Sequence, residues 1–261
     1  MRTTSTTTTR TFPTGLTQAL KERVLALTDV ARPEGPAFLA AAAGTEVAKA
    51  VDFGALEKLC KPLIVPAALA IALRDGGLRE GRLSPVDTAL LAATGAAYTT
   101  GDVILMLGEG HAGRSSTRLV SGAAAFGVGH LALGGLMLRS GLRFKPLQVA
   151  LHGVIAGSAG AVLLAEDRSN APLAAYGGLL AALSALATSV DRRNGPAASV
   201  LAVAGPVFLL SDALILVRRK TEGGSVLARA LDVGVIDTYA TAALLLLTGT
   251  AAAARTAGRV S

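Results

Sequence analysis

PAASVLAVAGPVFLLSDALILV, residues 196–217, decides the fold. It is long enough to cross a bilayer, which takes roughly 20 mostly apolar residues. It carries a single charge, Asp212, near its trailing end. DTALLAATGAAYTTGDVILML, residues 87–107, repeats the pattern with Asp102 in the corresponding place. An ionisable side chain at membrane depth costs a few kcal/mol on insertion scales, so it marks a functional site by default. Two of them suggest a site built inside a membrane.

Composition agrees. Of 261 residues, 51% are hydrophobic and 16% charged, against about 25% charged in soluble domains. Trp is absent and aromatics make up 3%, so the usual interfacial aromatic belt is nearly missing. Ala and Gly fill the apolar runs instead, which favours close contact between helices. The runs are continuous, without the alternation of roughly 10-residue segments that marks a membrane β-barrel. The chain is therefore expected to be all-α and polytopic, with about eight transmembrane helices. They fall near 36–51, 56–73, 86–107, 117–138, 146–165, 171–190, 196–217 and 231–254. Turn and charge signals such as GEGHAGRSS (108–116), EDRSNAP (166–172) and RRKTEGG (218–224) bound them.

Three regions are expected: a disordered, Thr-rich tail with a short amphipathic segment over 1–35, a helical membrane domain over 36–254, and a C-terminal tail over 255–261. The net charge of +7 is spread over short clusters between spans rather than gathered on one face, so it excludes nucleic acid as a partner. Loop Lys and Arg are more numerous on the side of both termini, which places the termini in the cytoplasm of a multi-pass cell-membrane protein. The RRK cluster at 218–220 opposes that bias. Cys60 is alone, so no intramolecular disulfide forms.

Alternating span direction has a geometric consequence. Asp102 and Asp212 lie near the ends of the third and seventh spans, and Glu46 near the end of the first. Lys61 begins the second span, and Asp237 and Tyr239 begin the eighth. All six therefore share a depth toward one membrane face, as a single polar cavity requires. Simpler roles exist for each. Lys61 can snorkel to the interface, Ser211 can bond its own helix, and Glu46 can pair with Lys49. The two aspartates can form an ion pair with Lys61, and His130 can be a neutral core residue. No GxSxG, HExxH or P-loop pattern occurs. His130 with both aspartates is chemically adequate for zinc, but the histidines lack ligand spacing; no metal and no cofactor are expected.

The ordered blocks KPL (61–63), GDVILM (101–106), FGVGH (126–130), SDALI (211–215) and TYATAA (238–243) resemble the YhhN/TMEM86 family of lysoplasmalogenases. The family reads approximately KPL, GDxxLM, FxxxH, SDxxL and YxxAQ, over about eight helices. Two departures stand out: Ala243 replaces the family's Gln, and Leu133 its aromatic. The resemblance implies hydrolysis of the vinyl-ether bond of lysoplasmalogens to a fatty aldehyde and a glycerophospho-alcohol. Asp102, Asp212 and His130 are then the catalytic residues, and Lys61, Ser211 and Tyr239 bind a lysophospholipid or ether-lipid substrate. Enol-ether hydrolysis needs one acid to protonate carbon and one carboxylate to steady the cation or activate water, which two aspartates satisfy. Lys61 either holds the phosphate or biases one aspartate toward its charged form. The rival reading is a non-catalytic transporter or lipid-binding protein with a buried polar pathway.

Overall fold

The computed structural model describes residues 12–29, 31–74, 83–107 and 116–258. Their helices are α1 (Phe12–Leu27), α2 (Glu34–Ala50), α3 (Gly54–Arg74), α4 (Pro85–Leu107), α5 (Ser116–Arg139), α6 (Pro146–Glu166), α7 (Ala171–Thr188), α8 (Leu201–Arg219) and α9 (Val226–Ala257). No strand occurs among the described residues. Helices α2 to α9 occupy the eight expected segments. Six of them, α4 to α9, are long and apolar enough to cross a membrane, α7 and α8 taken with their leading 3-10 turns. α2 has 17 residues, and α3 carries Glu57, Lys58 and Lys61 in its first two turns.

Local chemistry explains the ends. Pro85, Pro146, Pro172 and Pro196 open helices or turns, where a missing N–H costs nothing. Asp52 adopts φ 57°, a left-handed conformation that Asp tolerates better than most residues. It turns the chain between α2 and α3, where Phe53 N–H donates to the Ala48 carbonyl at 2.8 Å. The seventh segment does not run as one helix from 196. Gly195 (φ 85°) and Pro196 force a 3-10 turn, Pro196–Val200, before α8 begins.

Consecutive helices pack as antiparallel pairs, and α9 runs through the middle, touching α2, α3, α4, α5 and α8. From Ala242 to Arg255 it is buried throughout. Small residues allow the close approaches: a Cβ on Gly205 would lie 2.7 Å from the Ser184 backbone of α7. α6 is peripheral, packed mainly on α7, with only His152 and Leu163 buried. Ser184 and His152 Nε2 share a hydrogen bond of 2.9 Å that pins α6 in place.

Both ends of the chain pack on the bundle. Residues 12–27, within the region expected to hold a disordered tail and a short amphipathic segment, form a docked helix. Ala19 is buried, and Arg23 donates to Thr248 Oγ1 at 2.9 Å and to the Ala197 carbonyl at 3.0 Å. The Thr-rich residues 1–11 lie outside the described residues. The C-terminal tail starts later than 255, because Arg255 is buried in α9 and donates to the Ala72 carbonyl of α3.

Candidate active site

Because neighbouring helices alternate in direction, the loops 51–53, 167–170 and 220–225 and the C-terminal end of α4 share one end of the bundle. A cavity of about 190 Å³ lies in that half. Lys61 of α3, Asp102 of α4, Ser211 and Asp212 of α8 and Tyr239 of α9 all line it. Its remaining wall is mostly aliphatic, including Leu119, Ile155, Ala159 and Leu163. Asp102, Ser211 and Tyr239 are buried and Asp212 is half-buried.

Each aspartate has its own tyrosine. Tyr239 donates to Asp102 Oδ2 at 2.6 Å. Tyr176 of α7 lines the cavity close to Asp212. Lys61 lies within electrostatic reach of Asp102, but its ion pair is with the buried Glu57, 3.8 Å away, which also binds Lys49 at 2.8 Å. Lys49 thus serves Glu57 rather than simply pairing with Glu46. Glu46 and Asp237 sit near each other and outside the cavity lining. Ser211 donates to the Val235 carbonyl of α9 at 3.1 Å, so it ties two helices together instead of bonding back to its own.

His130 stands one ring further back. Its Nδ1 is 2.7 Å from the Tyr98 hydroxyl and its Nε2 is 3.4 Å from that of Tyr176. If Tyr176 donates to Asp212, its oxygen accepts from Nε2–H. Nδ1 is then the acceptor for Tyr98, as a neutral imidazole allows. Tyr98, His130 and Tyr176 thus form a line of polar contacts behind the cavity. With both nitrogens engaged, His130 is not a ligand for a metal between the aspartates. Among the described residues no group of three or more His, Cys, Asp or Glu side chains converges. Ala243 is fully buried one turn beyond Tyr239 and does not line the cavity.

The floor is aromatic. Phe208 lies between 5.2 and 5.8 Å, ring centre to ring centre, from Tyr98, His130 and Tyr239. All three tyrosines of the chain meet here, which is where the missing interfacial aromatics went. Four neighbours of the site are not singled out by the sequence: Tyr176, Tyr98, Glu57 and Arg219. Tyr176 begins the sixth span and Glu57 the second, so the depth rule that gathered the other residues also reaches both. Arg219, which lines the cavity, had been counted only as a loop charge.

The architecture and this cavity define an α-helical, multi-pass membrane protein with a polar site set into one half of its bundle. The chain belongs to the YhhN family, whose model matches residues 56–250 and so spans every cavity residue from Lys61 to Tyr239. No curated protein and no solved structure matches it.

Proposed function

We propose that this protein is an intramembrane lipid hydrolase that cleaves the vinyl-ether bond of lysoplasmalogens. The observation that supports it most is the pairing of Asp102 and Asp212 on one aliphatic-walled cavity, each with its own tyrosine. An enol ether is opened by protonating its β-carbon. Asp212, with no lysine beside it, supplies that proton, and the double-bond electrons move to give an oxocarbenium ion. Asp102, facing Lys61 and held by Tyr239, is the carboxylate that steadies the cation and takes a proton from the attacking water. The hemiacetal then collapses: Asp212 recovers a proton from the hydroxyl, Asp102 returns one to the glycerol oxygen, and the aldehyde leaves. One water is consumed and both groups are reset.

The alkenyl chain lies along Leu119, Ile155, Ala159 and Leu163. His130 touches the reaction only through Tyr176, so it acts as a positioning residue. The transporter reading is less well supported, because a conduit must continue across the bundle. Here the polar lining stops at the aromatic floor and the buried apolar half of α9. With cytoplasmic termini, the cavity faces the outer side of the cell membrane. Fluorescent-protein fusion at the C-terminus tests that, since fluorescence requires a cytoplasmic location.

The deciding assay incubates purified protein with matched lysoplasmenyl and lysoacyl phospholipids and measures aldehyde and fatty acid together. Aldehyde from the first and no fatty acid from the second is expected. Fatty acid alone would reassign the protein as an esterase.

A further inference from the structure

We propose that Arg219 is the phosphate-binding residue of the cavity and that its spacing from Asp212 selects glycerophospholipids; this rests on the lipid-hydrolase reading above. Arg219 ends α8, is exposed, and lines the cavity at the end of the bundle where the loops gather. Asp212 lies seven residues earlier on the same helix. Seven residues are two turns, so both side chains share a face and stand about 10 Å apart along the axis. Ile215 and Leu216, which line the interval, are apolar. Both residues line the cavity, so the guanidinium and the Asp212 carboxyl face the same space.

The spacing fits the substrate class. In a lysolipid with an ether-linked chain, seven bonds separate the β-carbon that Asp212 protonates from phosphorus. At roughly 1.5 Å per bond, shortened by the zigzag, they span about 9 Å, comparable to the separation of the two residues along the helix. A guanidinium also suits phosphate, because its fork of donors meets two oxygens at once.

Several cations at this end of the bundle have partners. Lys61 pairs with Glu57, Arg218 with Asp232 at 2.8 Å, and Lys220 with Glu166. Arg118 donates to the Leu107 carbonyl. Among the described residues no carboxylate pairs with Arg219. Lys61 therefore serves the buried carboxylates and Arg219 the headgroup.

Binding to purified protein in an uncharged sugar detergent tests this, using 1-O-alkyl lysophosphocholine and 1-O-alkylglycerol of equal chain length, neither of which is cleaved. The wild type should bind the phosphate lipid at least tenfold more tightly. Arg219→Gln should reduce that preference to within about threefold, and Arg219→Lys should recover part of it. Lys58→Gln, exposed near the same membrane face and outside the cavity lining, should retain it. Inorganic phosphate should not displace the alkyl lysolipid; displacement would mark a free-anion site and overturn the headgroup assignment. Preference kept in Arg219→Gln, or lost in Lys61→Met instead, would overturn it as well. If no lipid yields aldehyde, the hydrolase reading fails while the binding comparison still decides the role of Arg219.

Discussion

The Tyr239 hydroxyl reaches Asp102 Oδ2 at 2.6 Å, joining the first half of α9 to the last turns of α4 across 137 residues of chain. It lies in a water-poor setting, where a lost partner costs more than in solvent. Tyr239→Phe should keep the ring packed against Phe126 and Phe208 while removing the donor. A stability loss of about 1.5–3 kcal/mol is expected, with turnover falling at least tenfold. Thermal unfolding in detergent and aldehyde release measure the two effects. Unchanged turnover would detach Tyr239 from the chemistry.

Asp102→Asn and Asp212→Asn preserve volume and remove a carboxylate each. Turnover should drop roughly a hundredfold or more in either, the scale of a general acid or base, with protein yield in membranes little altered. A purely structural role predicts the opposite, misfolded variants with low yield. Well-folded variants with near-normal vinyl-ether hydrolysis would defeat the catalytic assignment.

Tyr176→Phe and His130→Gln test the relay. Because the polar contact of His130 toward the cavity runs through Tyr176, the two losses should be strongly non-additive, the double variant resembling Tyr176→Phe in turnover. Additive losses would mean that His130 acts by another route.

Gly205→Ala places a Cβ 2.7 Å from the Ser184 backbone. Overpacking of this kind costs typically 1–3 kcal/mol, and here it forces α7 away from α8 and Tyr176 away from Asp212. Lower thermal stability together with lower turnover is expected; a variant as stable as the wild type would show that the helices can separate at no cost.

Asp167, in the turn between α6 and α7, accepts the Ser169 N–H at 2.8 Å, and this bond holds its carboxyl below the usual range. Folding favours the ionised form. The stabilisation is present above the ordinary aspartate value of about 3.9 and is lost as pH falls through the lower folded value. The melting difference between wild type and Asp167→Asn should be visible at pH 6 and shrink steadily in acid. A difference independent of pH would assign it to something other than the charge.

The spans were legible because each is a long run with few charges, and the shared depth of Lys61, Asp102, Asp212 and Tyr239 followed from counting how often the chain turns. α1 was not legible. Its hold on the bundle depends on Arg23 meeting a hydroxyl and a carbonyl more than 170 residues away, and no local pattern announces such a partner. Arg255 misled for the same reason: a charge at a segment end reads as a solvated boundary, whereas here the α3 carbonyl of Ala72 receives it. The role of His130 needed coordinates, because whether a histidine faces a cavity or the tyrosine behind it is a matter of one ring's thickness.

The long central helix follows in sequence every helix it packs against. During synthesis at about 5–20 residues per second, on the order of ten seconds separate completion of α4 from emergence of α9. Through that interval Asp102 resides in the membrane without Tyr239, and α2 to α5 lack the surface that will hold them together. Assembly is thus gated by the final span, and a ribosome that stalls before it leaves a set of inserted but unconsolidated helices for quality control to recognise.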